Sequence, residues 1–117
     1  MCSCSEDNTW GVWQIKKDGY TCKGLISDCH IRSVYSISWS TNDCIATGSA
    51  DNRICLFELS RESLLNPADT NVAYNILEKK GMAHTNDINC VAFNPKDPRT
   101  LASCSDSGEV KVWQINE

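Results

Sequence analysis

Three stretches of this chain align on one another without a gap, and that internal repeat restricts the fold more than any other feature. They are Ser3 to Ile15, Thr47 to Leu59 and Ser103 to Ile115. Each runs from a small or hydroxyl-bearing strand end, through a polar turn, into an alternating strand that ends near an aromatic. In the middle copy, alternation puts Ile54 and Leu56 on one face and Cys55 and Phe57 on the other. The turns are made of Asp, Asn, Ser and Gly, which tolerate tight hairpin geometry. Upstream, His30 to Ser40 aligns with His84 to Asn94: a histidine, three residues, then an apolar alternating strand. Trp13 to Phe57 spans 44 residues, inside the ~40–45 of a four-stranded propeller blade. Phe57 to Trp113 spans 56, so this unit carries an insertion. It falls at Ser60 to Asn71, where Asn66-Pro67-Ala68-Asp69 interrupts any strand.

Composition narrows the function classes. The 117 residues carry a net charge of −4, which argues against a phosphate-tracking nucleic-acid binder. Lys16-Lys17 and Lys79-Lys80 are isolated pairs, of the kind that keeps a sheet edge solvated. No run of 18 apolar residues is present, so no membrane-spanning helix is expected. The N-terminal residues lack the basic and apolar parts of a signal peptide. The expected location is therefore the cytosol or nucleus, and the eight cysteines are expected as reduced thiols. Cys2 and Cys4 form a C-x-C pair, the other cysteines are scattered, and no C-x-x-C occurs. Most read as small buried hydrophobes. A metal shared by Cys2, Cys4 and a further thiol is the alternative. The expectation is no cofactor, no metal site and no catalytic residue.

This register of turns, aromatics and histidines resembles the WD40 β-propeller family. The resemblance implies an all-β fold, a partial propeller of about two and a half four-stranded antiparallel blades. Residues 1–28 would be an incomplete blade with strands b, c and d. Residues 29–79 would be a full blade, with an insertion loop at 60–71. Residues 80–117 would be a last blade lacking its outer strand. The expected strands are Tyr20 to Ile26; Val34 to Trp39, Cys44 to Gly48, Arg53 to Leu59 and about Val72 to Glu78; then Ile88 to Phe93, Thr100 to Cys104 and Glu109 to Ile115. A ring needs ~4–8 blades, so the chain reads as a piece of a longer protein. WD40 blades often hold a buried network of His, Ser/Thr, Asp and Trp. The middle blade offers His30, Thr47 and Asp51, with Phe57 in place of Trp. The last offers His84, Ser103 and Trp113, with Ser107 at the aligned turn position and Asp106 one residue early. These residues fall where a polar network would stabilise a blade. A hydrolase triad would require a nucleophile elbow, which the sequence lacks.

The run from His84 through Val110, with Asn94-Pro95-Lys96-Asp97-Pro98 inside it, resembles the last blade of a narrower family. That family comprises the WD40 propeller subunits of the cytosolic iron–sulfur targeting complex. Ser33 to Trp39 and Ala46 to Phe57 look like its penultimate blade. The resemblance implies a non-catalytic adaptor, joining cluster-assembly subunits to client apoproteins and holding no cluster itself. Its partners would be proteins, with no nucleic acid and no membrane. Candidate contact residues are Arg32, Ser33, Asn86 and Asp87 in the loops at the histidine end, with Arg53 and Glu109 at the start of strand c. A WD40 adaptor of another pathway, such as ubiquitin-ligase substrate recognition or chromatin binding, is the alternative.

Overall fold

The computed structural model describes residues 1–27, 29–66 and 72–115, and the side chains of all of these but Lys16. The described residues form ten strands and one short helix in three antiparallel sheets, a partial β-propeller. The first sheet is β1 (Cys2–Cys4), β2 (Trp10–Lys16) and β3 (Gly19–Ile26). The second is β4 (Val34–Trp39), β5 (Cys44–Ser49), β6 (Ile54–Leu59) and β7 (Tyr74–Lys80). The third is β8 (Ile88–Asn94), β9 (Asp97–Ser105) and β10 (Val110–Gln114). Within each sheet, spatial order follows chain order.

The repeat fixes the turns. Asn8 (φ 70°), Asn52 (φ 65°) and Gly108 (φ 81°) occupy one repeat position, and each takes the left-handed conformation that the tight b–c turn requires. The two asparagines do more than turn the chain. Asn8 Nδ2 donates to the Ile31 carbonyl and Asn52 Nδ2 to that of Thr85, at 3.3 and 3.4 Å. Each thereby reaches the residue after the histidine of the following blade. Gly108 has no side chain with which to do the same.

Alternation then builds two cores between three sheets. Trp10, Val12 and Ile26 pack on Ile45, Cys55, Phe57 and Leu59. On the other side, Ala46 and Ile54 meet Ile88, Val91, Phe93 and Leu101. Phe57 stands where tryptophan is the rule, and the first core shows why a smaller ring fits. It is fully buried, with its centroid 4.7 Å from that of Trp10 and 5.9 Å from that of Tyr74. Gly48 sets the spacing of the second core: a Cβ there would lie 2.6 Å from Ile88 Cγ2 and 3.1 Å from Val91 Cγ1. At the inner edge, the Ser36 and Ser38 hydroxyls accept from the amides of Val91 (3.0 Å) and Phe93 (3.1 Å). These two hydroxyls satisfy edge N–H groups of β8 that no strand covers.

Three local features differ from the sequence expectation. A helix, α1 (Arg61–Leu65), lies within the insertion; Ser60 caps it by accepting from the Ser63 amide at 3.2 Å. The remainder of the expected insertion, residues 67–71, lies outside the described residues. β7 begins at Tyr74, two residues later than expected, after Ala73 has donated its amide to Ser63 Oγ. A bulge opposite Leu56/Phe57 then shifts its register. β9 begins at Asp97, before the expected Thr100, because Asn94 pairs directly with Asp97 across a short turn.

Candidate functional site

The two histidines anchor the end of the sheets that carries the b–c turns and the connectors into β4 and β8. His30 is buried. Its Nδ1 lies 3.1 and 3.0 Å from the two Asp51 carboxylate oxygens, and its Nε2 lies 2.6 Å from Thr47 Oγ1. Asp51 also accepts from the amides of Ile31 (3.1 Å) and Arg53 (3.0 Å). Burial pushes the His30 pKa below the ordinary histidine value, and Arg53 and Lys79 push the same way against the pull of Asp51. A neutral ring fits the geometry: Nδ1–H donates to the carboxylate, and Nε2 accepts from the Thr47 hydroxyl.

The third sheet repeats the arrangement with one exchange. His84 Nε2 lies 2.7 Å from Ser103 Oγ, which accepts from the Trp113 indole at 2.8 Å. The carboxylate on His84 Nδ1 belongs to Glu109, at 2.9 Å. The aligned turn position, Ser107, instead bonds locally to Ser105 Oγ at 2.7 Å. Asp106 accepts from Asn89 Nδ2 at 2.6 Å. A four-membered network is therefore present, with a carboxylate from two residues further along. The longer Glu side chain reaches the ring, but at 45% exposure against 2% for Asp51 it stays wetter. The first sheet holds the matching fragment, Trp13 Nε1 donating to Ser3 Oγ at 2.9 Å.

The six candidate contact residues share this rim but differ in how free they are. Arg32 and Asn86 are exposed, and Ser33 and Asp87 are half-buried. The Ser33 carbonyl accepts from Ser49 Oγ and the Ala50 amide, and the Asp87 carbonyl accepts from the Asp106 amide. Arg53 Nη1 donates to the Cys29 carbonyl at 3.5 Å, and Glu109 serves His84. Exposed apolar side chains stand beside them: Ile31, Met82 and Tyr35. Sequence reading passed these over. For Ile31 and Met82 the signal was an apolar residue in a polar connector close to each histidine.

The cysteines depart from the expectation of eight reduced thiols: Cys29 and Cys55 are joined in a disulfide. Adjacency brings this about. Cys29 precedes the buried His30, and Cys55 pairs in register with Thr47, the hydroxyl that His30 holds. Cys29, His30 and Cys55 also form a potential ligand trio, with donor atoms within 4.8 Å of one another. Here the two sulfurs are bonded together and both ring nitrogens are hydrogen-bonded. Burial raises the pKa values of Cys2 and Cys4, which are half-buried against the first core. Among the cysteines outside the disulfide only Cys44 is buried, while Cys22 and Cys90 are exposed, contrary to the expectation for most cysteines.

Repeated blades, buried His–hydroxyl–carboxylate networks and a loop-bearing rim define a propeller built for display of its surface. The chain belongs to the WD40 family: the family model described as WD domain, G-beta repeat matches residues 21–58 and 77–114. Among curated relatives, it is similar to Protein CIA1 of Arabidopsis thaliana, with 46% identity over 92 residues, covering 77% of this chain and 25% of that protein. It is similar to the probable cytosolic iron-sulfur protein assembly protein CIAO1 homolog of Dictyostelium discoideum, with 41% identity over 87 residues, or 74% of this chain and 24% of that one. The human probable cytosolic iron-sulfur protein assembly protein CIAO1 is 36% identical over 96 residues, covering 81% and 27%. The chain thus spans about a quarter of the length of these relatives.

Proposed function

We propose that this chain supplies blades of a non-catalytic adaptor in cytosolic iron–sulfur protein assembly, active in the cytoplasm and nucleus. The rim at the histidine end would hold cluster-assembly subunits or client apoproteins. The observation that carries the reading is the similarity of 74% and 81% of the chain to two relatives named for cytosolic iron-sulfur protein assembly. The geometry supports a binding role over catalysis. Both histidines are buried with every ring nitrogen engaged, so neither is offered to a substrate as a base. The networks instead hold the connectors that carry Ile31, Arg32, Met82 and Asn86.

The test uses the full-length protein and its purified assembly subunits. Ile31→Glu combined with Arg32→Glu changes two exposed side chains and none of the network. The expected result is at least about a tenfold weaker Kd, about 1.4 kcal/mol, with an unchanged melting temperature. Unaltered affinity would remove the rim from the interface. Recovery of ligase subunits or histones in place of the assembly subunits would move the protein to another pathway.

A further inference from the structure

We propose that Cys29 and Cys55 are a reversible redox clasp, a pair of thiols that closes to lock the His30 connector onto the second sheet. Their Cα atoms are 6.7 Å apart, within the ~4.4–6.8 Å that a disulfide bridges. Among the described residues, the connector between β3 and β4 is tied to the sheets by hydrogen bonds at Cys29, His30, Ile31, Arg32 and Ser33. Cys29 O accepts from Arg53 at 3.5 Å, the Ile31 amide donates to Asp51 at 3.1 Å, and the Ile31 carbonyl accepts from Asn8 at 3.3 Å. His30 bonds to Asp51 and Thr47, the Arg32 and Ser33 carbonyls accept from Ser49 Oγ, and the Ser33 carbonyl accepts from the Ala50 amide as well. Cys55 lies on β6 inside the second sheet, paired in register with Thr47 of β5 on one side and Lys79 of β7 on the other. A bond between the two cysteines therefore adds a covalent tie between this connector and a strand paired on both sides. The reducing compartment is taken from the proposed function; the chemistry of the pair is independent of it. In such a compartment, disulfides of soluble proteins are typically transient and redox-sensing.

Closure balances with a low-molecular-weight disulfide of the glutathione class as oxidant. Once the connector lifts, the Cys29 thiolate attacks one sulfur of the small disulfide and expels a small thiolate, leaving a mixed disulfide. The Cys55 thiolate then attacks the Cys29 sulfur and expels the second small thiolate. One S–S bond is broken and one is formed. The two cysteine protons end on the two small thiols, and the two cysteines give up the two electrons that reduce the oxidant. Closed, the clasp would keep Ile31 and Arg32 in place on the rim. Open, the connector would breathe.

The full-length protein is equilibrated in glutathione buffers of increasing oxidised fraction, quenched with an alkylating agent and mapped by peptide mass spectrometry. The expected result is one cross-linked peptide pair, Cys29 with Cys55. It disappears in the most reducing buffer and returns in the oxidising ones, with the six other cysteines alkylated throughout. Amide exchange at Ile31 should slow on the order of tenfold or more when the pair closes. Cys55→Ala, which removes one sulfur from a small buried site, should abolish the cross-link and the change in exchange rate. Cys22→Ala, at an exposed site, should alter neither. Three results would overturn the clasp: Cys29 and Cys55 fully alkylated in every buffer, a cross-link that no reductant opens without unfolding the chain, or stoichiometric zinc held by the reduced pair. None of these readouts depends on the assembly partners, so failure of the clasp and failure of the adaptor reading are separable.

Discussion

His30 and His84 occupy one repeat position, yet their surroundings give them different weight. The Asp51 carboxylate beside His30 is almost fully buried and accepts from two backbone amides as well, so the ring is not its sole anchor. Glu109 is half in solvent and also lies 3.6 Å from Lys111 Nζ. On the hydroxyl side the balance reverses. Ser103 Oγ serves both His84 and the Trp113 indole, whereas Thr47 serves His30 alone, because Phe57 has no N–H. The His30 network thus lacks the indole donor, while the His84 network keeps four members with a more exposed carboxylate. The lowered pKa of His30 has a consequence for stability. A histidine held neutral in the fold takes up a proton more readily when unfolded, so the unfolded state binds more protons as pH falls. Its contribution is complete above the ordinary histidine pKa of about 6.5 and is lost as pH drops from there through the lowered folded value. Urea denaturation between pH 7.5 and 5 should show stability declining. His30→Gln should begin less stable but decline with a shallower slope. Equal slopes for the two proteins would show that His30 is not the titrating group.

At the scale of the element, β5 is the most constrained strand, buried along its whole length. Gly48 is where it meets the third sheet. Gly48→Ala would place a methyl against Ile88 Cγ2, on a β-branched side chain with little room to retreat. The expected loss is about 1–3 kcal/mol in a denaturation experiment. An unchanged midpoint would mean that the sheets separate more easily than the packing implies. The sequence made this position legible as a place for small residues, since Cys4 and Cys104 fill it in the other copies. Strands β8 and β10 were legible because exposure varies along them with the residue pattern, β5 and β6 because small or apolar residues run through them, and β4 because its residues repeat the pattern of β8. β7 was not placed accurately because six of its seven residues are exposed and the pattern there carries little information. Helix α1 is five residues long and takes its definition from the Ser60 cap and the Ser63–Ala73 bond, signals too local to separate from a loop. Glu109 escaped because gapless alignment assigns the carboxylate to position 107, while a longer side chain can serve from 109. The Cys29–Cys55 contact joins residues 26 apart through the fold, and spacing alone does not predict it.

Across the whole molecule, the described residues leave two broad faces open. The first sheet exposes Ile15, Tyr20 and Leu25. The third exposes Ala92, Ala102, Val110 and Val112, aligned by pairing of Ala92 with Ala102 and Ala102 with Val112. Repeat proteins bury such faces against neighbouring units, so these residues left open to water favour self-association. The isolated 117-residue chain should therefore sediment as concentration-dependent oligomers. Val110→Lys with Val112→Lys should shift it toward monomer. A monomer at all concentrations, before any substitution, would contradict this account of the outer faces.

The two serine hydroxyls that hold β8 against β4 lie at the inner margin of the second and third sheets. At the opposite margin, β6 and β7 face β10 across a cleft of about 620 Å³ lined by Leu56, Leu77, Leu101 and Trp113. The pair is thus built like a pamphlet stapled along its spine, with loose fore-edges. Thermal agitation should fan the pages from the outside inward, so that a visiting side chain could enter from the periphery while the leaves near the axis stay shut.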